Sequence, residues 1–158
     1  MSGKDYLAFT QKLEGARLPA LITEITISQN EKLMIADSKI EHIKTNALWD
    51  TGASKTCISN RLVEEMKLPV IGMRKTQCAS GVQTVTCHII DIIMPHKIML
   101  TGVPVLAFAG SIYFDILIGM DLITLGDFAI TNAKGNTCFS YRTPPNDTHI
   151  DFVEKSYE

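Results

Sequence analysis

Asn46-Ala47-Leu48-Trp49-Asp50-Thr51-Gly52-Ala53-Ser54 is the stretch that decides how this chain reads. An apolar run with strand-like composition ends abruptly in an acid, and small turn-forming residues follow. A tight turn there holds one carboxylate out at the end of an apolar strand, where it is costly to desolvate without a partner. Thr51 supplies a hydroxyl donor, and Gly52 gives the backbone room to approach a ligand or a second chain. Aspartate and glycine are also ordinary turn residues, so the same positions read as a plain Asx-turn. The residues on either side bear on the choice.

Upstream, Leu21-Ile-Thr-Glu-Ile-Thr-Ile-Ser alternates β-branched apolar and polar positions, the pattern of a half-exposed strand. Ser28–Lys32 is a turn, and Leu33–Ala36 and Ile40–Trp49 continue a meander that ends at Asp50. Downstream, Ser59–Leu68 reads as a helix: Ile58, Leu62 and Met66 recur at i, i+4 and i+8, Ser59 is an N-cap, and Pro69 lies beyond the end. Strand-like runs follow at 71–78, 82–94, 98–100, 103–109, 112–118 and 128–131, with Cys138–Tyr141 as the last. Ala79-Ser-Gly, Met94-Pro-His-Lys, Thr101-Gly and Asn132-Ala-Lys-Gly-Asn supply turns, and Leu122–Leu125 makes a second short helix before Gly126. Many short strands with one or two small helices predict a compact, mainly antiparallel β fold. The polar residues 1–18 are expected to form an arm or short helix outside the core, and the tail from Pro144 onward an exposed extension.

Composition narrows the function classes. The chain has 158 residues with 15 Lys+Arg against 17 Asp+Glu, a net charge of −2 and 46% hydrophobic residues, which is ordinary for one globular domain. No basic excess is present to neutralise phosphates, so nucleic-acid binding by bulk electrostatics is not expected. The run without a charged residue from Ile98 to Phe114 is broken by Gly102, Pro104 and Gly110 and falls short of a membrane span. The first residues hold Asp5 and no continuous apolar core, so they do not form a secretory signal, and a cytoplasmic location is expected. Cys57, Cys78, Cys87 and Cys138 lack a C-x-x-C pair and read as reduced thiols. A redox latch joining Cys78 to Cys87 across a hairpin is the alternative. His42, His88, His96 and His149 lack metal-site spacing, and no metal is expected.

Taken in order, the features are a strand ending in Asp50-Thr51-Gly52-Ala53, a helix, a hairpin turning at Ala79-Ser80-Gly81, and Ile116-Leu117-Ile118-Gly119 before a short helix. This order resembles the retropepsins, the single-domain aspartic proteases of retroviruses, retroelements and bacteria. The likeness covers roughly Pro19 to Arg142. It implies a retropepsin-like acid protease fold: a closed antiparallel β-barrel with a flap hairpin and one or two short helices, in a domain of residues 19–142 between an N-terminal arm (1–18) and a C-terminal extension (143–158).

The resemblance also implies roles. Asp50 becomes the catalytic aspartate, Thr51 the residue whose hydroxyl braces two active-site loops across a dimer axis, and Gly52 a backbone acceptor for bound peptide. Ala53 lines the cleft, Ser80 and Gly81 sit at the tip of a mobile flap, and Ile116–Gly119 pack beneath the catalytic loop. Cys138–Tyr141 joins a dimer sheet. Ser54 and Met120 depart from the pattern, because they stand where retroviral members carry an acid and an arginine paired behind the active site. Trp49 is bulkier than the aliphatic residue usual before the aspartate and reads as core or dimer contact.

Hydrolysis by this chemistry needs two aspartates sharing a proton, and the chain holds a single D-T-G. The expected enzyme is therefore a homodimer acting on polypeptide, with no cofactor. The alternatives are a non-catalytic peptide-binding or scaffolding module on the same fold, and a monomeric barrel whose D-T-G is only a turn.

Overall fold

The computed structural model describes residues 5–12, 15, 17–34, 39–78 and 81–153, with Cys78 described by its backbone alone. Ten strands and two short helices make up these residues: β1 (Leu7–Lys12), β2 (Ile22–Gln29), β3 (His42–Trp49), β4 (Cys57–Ser59), α1 (Asn60–Glu65), β5 (Gly72–Cys78), β6 (Gly81–Met94), β7 (Ile98–Phe108), β8 (Ile116–Ile118), α2 (Met120–Ile123), β9 (Asp127–Thr131) and β10 (Cys138–Thr143). The larger sheet runs β2-β3-β8-β4-β7-β6-β5, and a further β2–β6 pairing closes its first six strands into a barrel. Closure removes the unpaired edges that an open sheet of these strands would expose. β5 stays outside the ring, paired only to the distal half of β6 as a long hairpin.

The interior is aliphatic. Ile25, Ile27, Ile58, Ile90, Ile92, Val105, Ile116 and Ile118 are all buried, β-branched side chains that fit a pleated surface. Helix α1 begins at Ser59, whose side chain accepts from the backbone of Leu62, as the capping pattern predicts. Leu62 and Met66 enter the core, and Gln29 Nε2 donates to the Met66 carbonyl at 2.7 Å. His88 is fully buried between the Thr86 hydroxyl at 2.8 Å and the Pro69 carbonyl at 2.9 Å, a structural position.

Several expectations need correction. The barrel is mixed: β3 runs parallel to β8 and β4 parallel to β7, because the chain returns to each ladder through a long crossover instead of a tight hairpin. Strand β7 is continuous through Thr101-Gly102, where a turn was expected, because Gly102 N–H donates to Asp91 at a register shift in the partner strand. Strand β8 starts only at Ile116, and residues 112–115 are loop. Helix α2 starts two residues before the expected Leu122. Leu33 lies in a 3-10 turn, and Ile35 and Ala36 of the expected strand fall outside the described residues.

The largest correction concerns the N-terminal segment. Leu7–Lys12 is a strand of a second, three-stranded sheet in the order β1-β10-β9, and Phe9 is 3% exposed within the core. β10 is thus the middle strand of an intrachain sheet, with both edges paired, and has no edge left for a dimer sheet. The Cys78–Cys87 latch fails on register. Cys78 stands opposite Gly81 and Cys87 opposite Gly72. Six strand positions separate them, about 20 Å, against the 7 Å limit for a disulfide; Cys87 is a free thiol.

Candidate active site

Strand β3 delivers the chain to Trp49, which is core rather than surface. Its indole N–H donates to the Thr23 hydroxyl at 3.1 Å. Its ring packs against Tyr141, Phe139, Phe128 and Phe9 with centroids 5.0 to 6.1 Å away. Those rings come from β1, β9 and β10, so the small sheet forms the support under the end of β3.

One residue later the chain turns. Asp50 N–H donates to the Ile118 carbonyl at 2.9 Å, fixing the aspartate to β8. The Asp50 carboxylate accepts from Gly52 N–H at 2.8 Å through Oδ1, and Ala53 N–H reaches the Asp50 carbonyl at 3.2 Å. The Asx-turn reading is therefore correct as geometry, and it is also what orients the carboxylate. Among the described residues nothing donates to the other oxygen, Oδ2. Asp50 is half-buried, while Thr51 and Gly52 are exposed at the crest of the loop. A β-carbon on Gly52 would come within 3.1 Å of Asp50 Oδ1, so the glycine keeps the carboxylate uncrowded.

The loop is clasped to the turn after β8. Ala53 carbonyl accepts from Met120 N–H at 2.8 Å, and Thr56 Oγ1 accepts from Gly119 N–H at 3.2 Å. Asp121 accepts from both the backbone N–H and the hydroxyl of Thr56, at 3.1 and 2.8 Å. Ile118 and Gly119 thus lie directly against the aspartyl loop, at the end of a strand whose Ile116 and Leu117 pair with β3 and β4 on either side of it. Ser54, one of the two departures from the family pattern, is exposed, and Met120, the other, is more than one-third exposed. Thr56 and Asp121 were not singled out in the sequence. The signal available was a hydroxyl opening the run Thr56-Cys57-Ile58 and an acid in the first turn of a helix that follows a glycine.

The loop before β8 is anchored by Asp115. Its carboxylate accepts from Ser59 Oγ at 2.7 Å, Thr45 Oγ1 at 3.0 Å, and Arg61 Nη2 and Nε at 2.7 and 3.2 Å. Burial pushes the Asp115 carboxyl up, but the hydrogen bonds from Arg61, Ser59 and Thr45 outweigh it and hold it below the ordinary value. Arg61 is raised in turn, chiefly by its bond to Asp115. Burial pushes the Tyr141 phenol up to about 12, and its hydroxyl donates to the Leu122 carbonyl at 3.0 Å.

At the far end of the β5–β6 hairpin, Gly81 forms the closing pair with Cys78 and has a φ of +107°, which only glycine adopts without strain. Ser80, the other residue expected at the tip, lies outside the described residues, as does Ala79. Asp50, Thr51, Gly52 and Ala53 therefore share one turn, while Gly81 belongs to the separate hairpin.

The chain is similar to the crystal structure of a retropepsin-like aspartic protease from Rickettsia conorii, at 13% identity, over 89% of this chain and 98% of that one, with a TM-score of 0.49. No curated protein matches it. A family model described as aspartyl protease matches residues 33–122, more than half of the chain, and includes the whole aspartyl loop and its clasp. The chain belongs to the aspartyl protease family.

Proposed function

We propose that the protein is an aspartic endopeptidase that hydrolyses polypeptide with a water activated by two copies of Asp50, one from each subunit of a homodimer. The observation that carries this reading is the state of Asp50: its carboxylate is fixed through Oδ1 by Gly52 N–H on a loop clasped to β8, and Oδ2 takes no bond from the described residues. One such group holds a water but does not also protonate a carbonyl oxygen. Two brought together across a two-fold axis cannot both ionise cheaply, so one stays neutral as the acid while the other takes a proton from water. The pair titrates as a unit, which favours an acidic to mildly acidic optimum.

In this reading Thr51 braces the two loops across the axis, and Gly52 and Ala53 meet the substrate backbone. The β5–β6 hairpin, closed by the Cys78–Gly81 pair, serves as the flap over an extended peptide held by strand-like hydrogen bonds. The dimer contact excludes pairing at β10, whose edges are filled within the chain. It forms around the exposed Thr51–Gly52 crest instead. The aromatic support under Trp49 is complete within one chain, which favours a monomer that folds before it pairs.

The test is digestion of a peptide library at several pH values by wild type and Asp50→Asn, prepared identically. Asn keeps the shape and removes the base, so cleavage should vanish while the melting curve stays in place. Cleavage that survives in pure Asp50→Asn would reject the mechanism. Peptide binding without turnover in the wild type would favour the non-catalytic alternative.

A further inference from the structure

The aspartyl loop is tied to the turn after β8 by side-chain as well as backbone bonds. Thr56 is fully buried, and its hydroxyl sits in a relay whose polarity is forced. Gly119 N–H can only donate, so Thr56 Oγ1 accepts from it at 3.2 Å and sends its single hydrogen to Asp121 Oδ1 at 2.8 Å. Thr56 N–H supplies Asp121 Oδ2 at 3.1 Å, so both carboxylate oxygens are held by one residue. These bonds secure the C-terminal end of the loop. Its N-terminal part is tied to β8 and α2 by the backbone bonds from Asp50 to Ile118 and from Met120 to Ala53.

We infer that Asp121, acting through Thr56, is the positioning residue of the aspartyl loop. The assignment rests on the reading of Asp50 as the catalytic group. A carboxylate acceptor makes stronger hydrogen bonds than a neutral one, and a buried hydroxyl partner has no water competing for it. Lys55 Nζ lies 4.0 Å from Asp121 Oδ2 on a side chain 54% exposed, so it contributes little to the hold. Two aspartates that share a proton tolerate only a small displacement: an error of about 1 Å in a reacting group can cost about 100-fold in rate. The relay fixes the loop against β8 and α2 of its own subunit, and each subunit thus presents its aspartate in a set place before the pair forms.

Five variants test this: Thr56→Val, which keeps volume and loses the hydroxyl; Thr56→Ser, which keeps the hydroxyl; Asp121→Asn; Thr56→Val combined with Asp121→Asn; and Asp50→Asn. For each, kcat and KM on a fluorogenic peptide are measured beside a thermal melt and a sedimentation measurement of the dimer fraction. Thr56→Val should lower kcat about 10- to 100-fold with KM within about twofold. Thr56→Ser should stay within about threefold of wild type. Adding Asp121→Asn to Thr56→Val should cost little more, because both changes break one relay. Thr56→Val that is folded and dimeric with kcat within twofold of wild type overturns the assignment. If Thr56→Val does not fold, equal kcat values for Asp121→Asn and Thr56→Ser overturn it. Activity that does not depend on Asp50 rejects the catalytic reading itself and this inference with it. Activity that depends on Asp50 but ignores Thr56 and Asp121 rejects only the positioning role.

Discussion

A β-carbon at Gly119 would stand 2.6 Å from the carbonyl carbon of Lys55 and 2.7 Å from its oxygen, so the turn after β8 and the aspartyl loop meet backbone to backbone. The φ of Gly119 is −92°, which any residue adopts, and the requirement is one of space alone. Gly119→Ala has to push the two segments apart. Overpacking of this kind costs about 1–3 kcal/mol, and here it also strains the clasp on Asp50. Chemical denaturation should show the unfolding free energy falling by that amount and the midpoint moving to lower denaturant, together with lost activity. An unchanged midpoint would mean that the loop and the turn do not touch.

Gly52→Ala makes a sharper distinction between fold and chemistry. Its new methyl carbon would lie 3.1 Å from Asp50 Oδ1, at the exposed crest and away from the core. Stability should change by less than about 0.5 kcal/mol, as for other surface positions. Peptide cleavage should fall about tenfold or more, because the carboxylate is displaced. Steady-state kinetics beside a melt would read both, and full activity would show that the carboxylate has room to spare.

Phe9→Ala tests whether β1 belongs to the domain. The ring packs edge-on against Phe139 at 5.5 Å and against Trp49 at 6.1 Å, so its removal leaves a cavity under the aspartyl loop. The expected loss is about 3–5 kcal/mol, read from unfolding midpoints at several protein concentrations. A loss below about 1 kcal/mol would return β1 to the status of a detachable arm.

Asp115 gives a pH-dependent prediction. Its carboxyl is held below the ordinary value, which is about 3.9 in an unfolded chain. Its contribution to stability is therefore complete above that pH and is lost as the pH falls through the lower folded value. Asp115→Asn should be about 1–2 kcal/mol less stable than wild type at neutral pH. The gap should close in acid, as the wild-type carboxyl protonates. A gap that widens on acidification would contradict the hydrogen bonds from Arg61, Ser59 and Thr45.

Local pattern made part of this fold legible and nonlocal pairing hid the rest. The alternation in Leu21–Ser28 and the cap at Ser59 are written in neighbouring residues; β2 lies where its signal put it, and α1 starts at its cap but ends at Glu65, three residues short of the expected Leu68. The Asp50 turn was legible for the same reason. β1 was not: Leu7-Ala-Phe-Thr-Gln-Lys holds one residue, Phe9, that is deeply buried, and its strand character comes from pairing with β10, over 120 positions away in sequence. The three-residue strands β4 and β8 give too few positions for a period to show, and their parallel ladders follow from crossovers that no short window contains. Asp121 was passed over because an acid in the first turn of a helix is ordinary, and only the fold brings Thr56 to it.

The central claim is that catalysis needs one Asp50 from each of two chains, and subunit mixing tests it most directly. Inactive Asp50→Asn is titrated into a constant amount of wild type, above the dimer dissociation constant and after time for exchange, and the initial rate on a fluorogenic peptide is followed. At equal amounts about one quarter of the dimers are wild-type pairs, so activity per wild-type chain should fall to about half. An unchanged rate, in a mixture shown by native mass spectrometry to contain heterodimers, would mean that a single Asp50 suffices and would contradict the account.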